Sequence, residues 1–269
     1  MSIKPRAPKF SFGEVPRRWF GGSSVGTHVI NAVNLLFPAG ERFFVRSVRH
    51  YLPQLTDPQL RADVQGFFGQ EGRHAQAHER YFDALEAQGY RFRTFLALYE
   101  KLTYDLVEPR LSPELRLSIT VALEHYTAIL AENALRRRFL DFAHPSLRAL
   151  LKWHAAEEIE HRAVAFDVLA AVAPSYGLRM RGMAVATLAL VGFWIAGTIV
   201  LLAQEGGDWS PGHPELVELR RGNSIGRTVF LRGIAEYLRR DFHPSQHAVD
   251  DLAATYLAEA NLAPEAQPR

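Results

Sequence analysis

The sequence predicts an all-α protein: a four-helix bundle, then a long hydrophobic helix and a helical C-terminal tail. Three observations predict it. Apolar residues recur at helical spacing through four long stretches, three of these open on helix-start chemistry, and no alternation of period two competes with them. With 269 residues and 48% hydrophobic content the chain can bury a sizeable core.

Residues 1–26 read as an extension rich in proline and glycine. Its opening is basic but lacks the apolar run of a secretory signal, so a cytoplasmic protein is expected. The bundle is assigned to residues 27–174. Its first helix runs through HVINAVNLLF into Pro38 and on through ERFFVRSVRHYL, with Pro38 suited to the first turn of a new or kinked helix. The second starts at Asp57-Pro58 and stops at Gly89, and the glycines of VQGFFGQEG lower its local propensity. Residues 90–110, closed by Pro109, read as a crossover between two helix pairs. Ser112-Pro113-Glu114 opens the third helix, which reaches about Asp141, and after the His144-Pro145-Ser146 turn the fourth runs to Pro174.

The next unit spans 175–203. Residues 182–203 carry no charge, and a helix of that length rises about 30 Å, enough to cross the hydrocarbon of a bilayer. Its Gly192, Gly197, Thr187 and Thr198 suit packing in lipid or in a protein core equally. The tail, 204–269, holds an arginine-rich amphipathic piece ending at Pro244 and a short last helix from Ser245.

Composition excludes several kinds of chemistry. The chain has no cysteine, which removes disulfides, thiolate metal sites, iron–sulfur clusters and a thiol nucleophile together. A formal charge of +2, with arginines spread along the helices, leaves no dense basic footprint for nucleic acid. Any metal must be held by oxygen and nitrogen.

Such ligands are present in an ordered pattern. A carboxylate at i and an imidazole at i+3 share one helix face, so Glu-x-x-His offers two ligands to one centre. Glu71 with His74 and Glu158 with His161 have this form. Chance alone supplies about one such motif in a chain of this size, so order and spacing carry the argument. Each motif is preceded on the previous helix by a lone glutamate, Glu41 before the first and Glu124 before the second, at intervals that suit one helix hairpin. A glutamate from each of two helices plus Glu-x-x-His from two others is the ligand pattern of ferritin-like dinuclear carboxylate bundles. The bland alternative is a solvated, ion-paired helix face.

More histidines share these faces. His154, Glu158 and His161 stand at i, i+4 and i+7, as do Glu71, His74 and His78. His154 is a candidate third nitrogen ligand, while His78 could be a ligand, a partner behind one, or a packed histidine. His125 faces elsewhere. In a pseudo-symmetric bundle Gln70 would orient His161, and Glu157 would orient His74 unless it is an exposed surface residue. Asp167 reads as structural, or paired with Arg73 or Arg162.

The segments FPAGERFFVRSVRHYL, FFGQEGRHAQAHERY, ALEHYTAILAE, WHAAEEIEHRAVAFDV and YLRRDFHP together resemble a bacterial family labelled predicted metal-dependent hydrolase, over about Leu36 to Pro244. His154-x-x-x-Glu158-x-x-His161 also repeats a spacing of di-iron arylamine N-oxygenases, which supports His154 as a ligand.

Three functions follow as expectations. The leading one is an O2-dependent oxidase, hydroxylase or desaturase with two iron ions, manganese or a mixed pair also fitting, supplied with electrons by a donor. Its substrate would be apolar or lipid-like if residues 182–203 meet the inner membrane. The second is hydrolysis, with Glu157 or Glu160 taking the proton of a metal-bridging water. The third is non-enzymatic metal binding. A homodimer pairing through helix faces is also expected.

Overall fold

The computed structural model describes residues 3–207, 209–222 and 226–259, and among these it holds helices and turns, with a single isolated bridge between Phe20 and Ala143. The fold is all-α. Helices α1 (Ser24–Arg49) and α2 (Pro58–Ala87) form one hairpin, and α4 (Pro113–Arg136) with α5 (Pro145–His161) and α6 (Val164–Val172) form the other. The crossover between hairpins is α3 (Arg93–Glu100), continued by a π-helical turn Lys101–Val107. α1 packs on α2 and α4, and α2 packs on α5 and α6, which closes a four-helix ring. α7 (Tyr176–Leu202) lies along the groove between α1 and α4. After α8 (Pro214–Gly222), α9 (Arg232–Tyr237) covers α4 and α10 (Asp250–Glu259) covers α5.

Helix starts follow local chemistry. Asp57 accepts from Gln59 N at 2.8 Å, Ser112 from Leu115 N at 3.3 Å and His144 from Ser146 N at 3.4 Å, each with proline in the first turn. Pro38, by contrast, starts nothing: α1 runs through it. Leu35, Leu36, Ala39, Phe43 and Phe44 around it are all buried, and that packing outweighs the cost of an interior proline, about 3 kcal/mol.

Other boundaries move for visible reasons. The third helix stops at Arg136, short of Asp141, because Arg138 turns into the left-handed region at φ 54°. The fourth is broken after His161, where the Arg162 guanidinium donates to Ile159 O at 2.5 Å and pairs with Asp250 of α10 at 2.8 Å. Arg162 is therefore not the partner of Asp167, which pairs with His243 at 2.8 Å. The last helix begins at Asp250, since Pro244–Gln246 forms a 3₁₀ turn, and residues 260–269 of the expected tail lie outside the described residues.

The hydrophobic core comes in two parts. One joins the N-terminal half of α1, the C-terminal half of α2 and α5. The other joins the C-terminal half of α1, the N-terminal half of α2, α4, α6 and the start of α7. Between these apolar layers sits a layer of buried carboxylates and imidazoles.

Candidate metal centre

All seven residues proposed as ligands come together in that layer, each buried. Their donor atoms fall into three overlapping groups, every atom within 4.8 Å of the others in its group: Glu41, His74 and His154; Glu71, Glu124 and His161; and Glu71, His74 and Glu158. The first two are separate lobes and the third joins them. Glu158 reaches both lobes, with Oε1 2.7 Å from His154 and 3.6 Å from His74, and Oε2 3.6 Å from His161. Helical spacing produces this: positions i, i+4 and i+7 of α5 and i, i+3 of α2 face the same axis.

Within that layer the donors are left open. Both carboxylate oxygens of Glu41, Glu71 and Glu124, Oε2 of Glu158, Nδ1 of His74 and Nε2 of His161 are buried without a hydrogen-bond partner. Native cores leave few such atoms, because each costs about 1–3 kcal/mol and more when charged. So many on one centre fit a bound cation, and an oxygen-and-nitrogen set of this kind suits iron, manganese or zinc. The electrostatics fit too. Burial pushes Glu124 up to about 8, against the pull of His161, and burial with the charge of Glu71 holds Glu41 well above the usual carboxylate range. Burial opposes the charge on His74, yet its hydrogen bonds to Glu157 and Glu158 raise it to about 10. These carboxylates carry protons that metal ions would displace.

Behind the donors stands a second ring of contacts. His74 Nε2 lies 3.0 Å from Glu157 Oε2, and His161 Nδ1 lies 2.9 Å from Gln70 Oε1, the pairing that pseudo-symmetry anticipates. Each contact fixes a ring so that its other nitrogen faces the centre. Glu157 is fully buried, not a surface residue. His154 Nδ1 meets His78 Nε2 at 2.6 Å, so His78 stands behind a donor; burial keeps it neutral and able to accept that proton. His125 points away, to Gly233 O at 2.9 Å.

Sequence reasoning missed Arg6. The N-terminal segment lies as a strap across the seam between α2 and α5, and Arg6 donates to Glu157 at 3.0 Å and to both oxygens of Glu160 at 2.6 and 2.9 Å. Gln70 binds the same strap and Glu160, through Lys4 O at 3.2 Å and Glu160 Oε2 at 2.8 Å. Gly66 and Gly69 in α2 make room for it: a side chain at Gly66 would collide with the Ile3 backbone, and one at Gly69 would meet Pro5 at 2.7 Å. Those glycines were the available signal.

Two apolar cavities flank the centre. One of about 210 Å³ reaches Glu41 and is walled by α1, α4, α7 and the π-turn, with the Tyr99 and Tyr104 hydroxyls bonded to each other at 2.6 Å in its wall. The other, about 110 Å³, reaches His154 and Glu158. Val33, Phe37, Thr127 and Leu130 line both.

The family model described as predicted metal-dependent hydrolase matches residues 4–248, a span that takes in Arg6, all seven donors, both cavities and α7. No curated protein and no solved structure matches the chain significantly.

Proposed function

The chain belongs to the family of predicted metal-dependent hydrolases, and we propose that it holds two metal ions in Glu41, Glu71, His74, Glu124, His154, Glu158 and His161 and acts with them on an apolar substrate. The observation that carries this reading is the convergence of partnerless, buried donor atoms from four helices on one layer. Glu71, of the second lobe and 3.9 Å from His74 of the first, and Glu158, in reach of both, would be the carboxylates shared between two ions.

Of the reactions open to such a centre, the geometry best supports O2-dependent oxidation. Two iron ions bound there would pass electrons from an external donor to O2 and supply the oxidant for a carbon centre. The chain's part is to position and to exclude water. Leu36, Phe37, Val33 and Phe193 wall the larger cavity against solvent on the approach to Glu41. Tyr99 and Tyr104 bring two phenols to that approach, and burial holds both above the usual phenol range, so they keep their protons.

Hydrolysis is the second reading, and the family description favours it. It needs a carboxylate free to take a proton from water. Glu157 and Glu160 are bound by Arg6 and would have to release it, which supports positioning roles for both over proton transfer.

Anaerobic loading with Fe(II), metal analysis and then exposure to O2 under absorption spectroscopy tests the proposal, alongside acyl-ester hydrolysis assayed without O2. Expected are close to two ions per chain, an O2-dependent absorption change, and sharply lower metal content in Glu124→Gln and His161→Ala. Less than one ion per chain would overturn the metal centre. Ester turnover with no response to O2 would replace oxidation by hydrolysis.

A further inference from the structure

We infer that the outward face of α7, with the adjoining face of the crossover, docks on a lipid bilayer, and that the cavity over Glu41 takes an acyl chain from it; the acyl-chain half rests on the metal-centre reading above.

α7 is neither an ordinary core helix nor free to cross a membrane. The span Tyr176–Glu205 reaches a mean hydropathy of 2.3, but only 22% of that apolar window is buried. One side is sealed to the bundle. Gly182 sits so close to Ser118 of α4 that no side chain would fit, and Trp194 Nε1 donates to Val29 O of α1 at 2.7 Å. The other side bears Ala184, Leu188, Gly192, Ile195 and Ile199, all exposed, at steps of three and four residues along one face. Leu188 is 77% exposed and Ile199 60%. Because α7 is packed along α1 and α4, which carry exposed Arg42, Arg49 and Arg136, it could not cross a bilayer without taking those charges with it, and only its outward face is free to meet lipid.

The crossover widens this strip. It runs antiparallel beside α7, with Phe95 against Gly197 and the Tyr99 ring 4.8 Å from Phe193. Leu98, Leu102, Leu106 and Val107 on it are exposed. A continuous apolar surface of this kind is unusual on a soluble monomer.

Two observations select a bilayer over a second copy of the chain. The α7 strip of Ala184, Leu188, Gly192, Ile195 and Ile199 has no side chain able to hydrogen-bond, whereas a protein interface carries about one hydrogen bond per 100–200 Å². Charge also fits anionic lipid: α7 has no acidic residue, Arg181 is exposed near its start, and exposed Arg91 lies beside its end through a 2.7 Å bond to Gln204. On the crossover, Lys101 is offset by Glu100 and Asp105. The cavity opens on this same surface, since Leu102 and Val107 are at once exposed and part of its lining, opposite Val185 and Ala189 of α7. A chain leaving the bilayer there reaches Glu41 without crossing water.

Flotation of the full chain with phosphatidylethanolamine–phosphatidylglycerol vesicles tests the docking, with and without bound metal. Wild type should float, and Leu188→Glu with Ile195→Glu, or Leu98→Glu alone, should reduce the bound fraction at least tenfold with unchanged melting temperature and metal content. Wild type left at the bottom, or variants floating equally well, would overturn it. So would a wild-type dimer that the same variants turn to monomer without any vesicle binding. Vesicle binding by protein that takes up no metal would keep the docking and remove the catalytic reading. Radiolabelled palmitate tests the chain channel: Ala189→Phe should cut uptake at least fivefold with flotation intact, and unchanged uptake would refute the channel.

Discussion

Replacing Arg6 by alanine should destabilise the protein and loosen its metal site together. The guanidinium holds Glu157 and Glu160 with three bonds of 2.6–3.0 Å, and Glu157 is fully buried. Without Arg6, that carboxylate keeps only His74. Removing one partner of a buried ion pair costs about 3–5 kcal/mol. Glu160 is 22% exposed, so water recovers part of the loss and the lower value, about 3 kcal/mol, applies. For a chain of this size each kcal/mol moves the melting temperature by about 2–4 °C, giving a fall of about 6–12 °C. His74 also loses the anchor on its partner, and losses of that kind lower metal affinity by about 10–100-fold. Arg6→Lys restores the charge but not the two-pronged contact, so it should fall between. Thermal melts of metal-free protein and competition with a chromophoric chelator measure the two effects. A melt within about 1 °C of wild type, with unchanged metal affinity, would refute the strap's role.

Two pH predictions follow. In metal-free protein His74 is raised to about 10 and Glu124 to about 8, so both carry protons at pH 7 and loading should release protons, measured by calorimetry in buffers of different ionisation enthalpy; no release would contradict the site. The raised His74 stabilises the metal-free fold fully below its unfolded value of 6.5, and that contribution is lost as pH rises through about 10. Glu205 runs the other way: despite burial, bonds from Tyr90, His28 and Arg18 lower it to about 2. Its contribution is present above 4.5 and lost as pH falls towards 2, so Glu205→Gln should melt lower at pH 7 and lose less on acidification to pH 3, as followed by circular dichroism.

Much of the site's layout was legible because helical geometry is local. Spacings of three, four and seven residues put Glu71 beside His74 and His154, Glu158 and His161 on one face whatever surrounds them, and hairpin lengths brought Glu41 and Glu124 alongside. What was illegible depends on contacts distant in sequence. Arg6 finds Glu160 across 154 positions, and nothing local announces it except glycines in α2 that looked like mere weak points. The break after His161 is held by Asp250 of a helix that docks from the tail. The π-turn at Lys101–Val107 changes the helical period itself, so no pattern of period 3.6 could show which side chains it turns towards Glu41. α7 was offered as a membrane or a core helix, and its mixed burial follows from which neighbours cover it.

The strap also sets an order of assembly. Arg6 is synthesised 151 residues before Glu157, and at about 5–20 residues per second it waits about 8–30 s for that partner. Until then α5 is unfinished and its donors Glu158 and His161 are missing, so the centre stays incomplete for as long as the strap lacks its partner. Closure of the strap needs both hairpins, so the contact that backs His74 and the donors of α5 are completed together, late in synthesis.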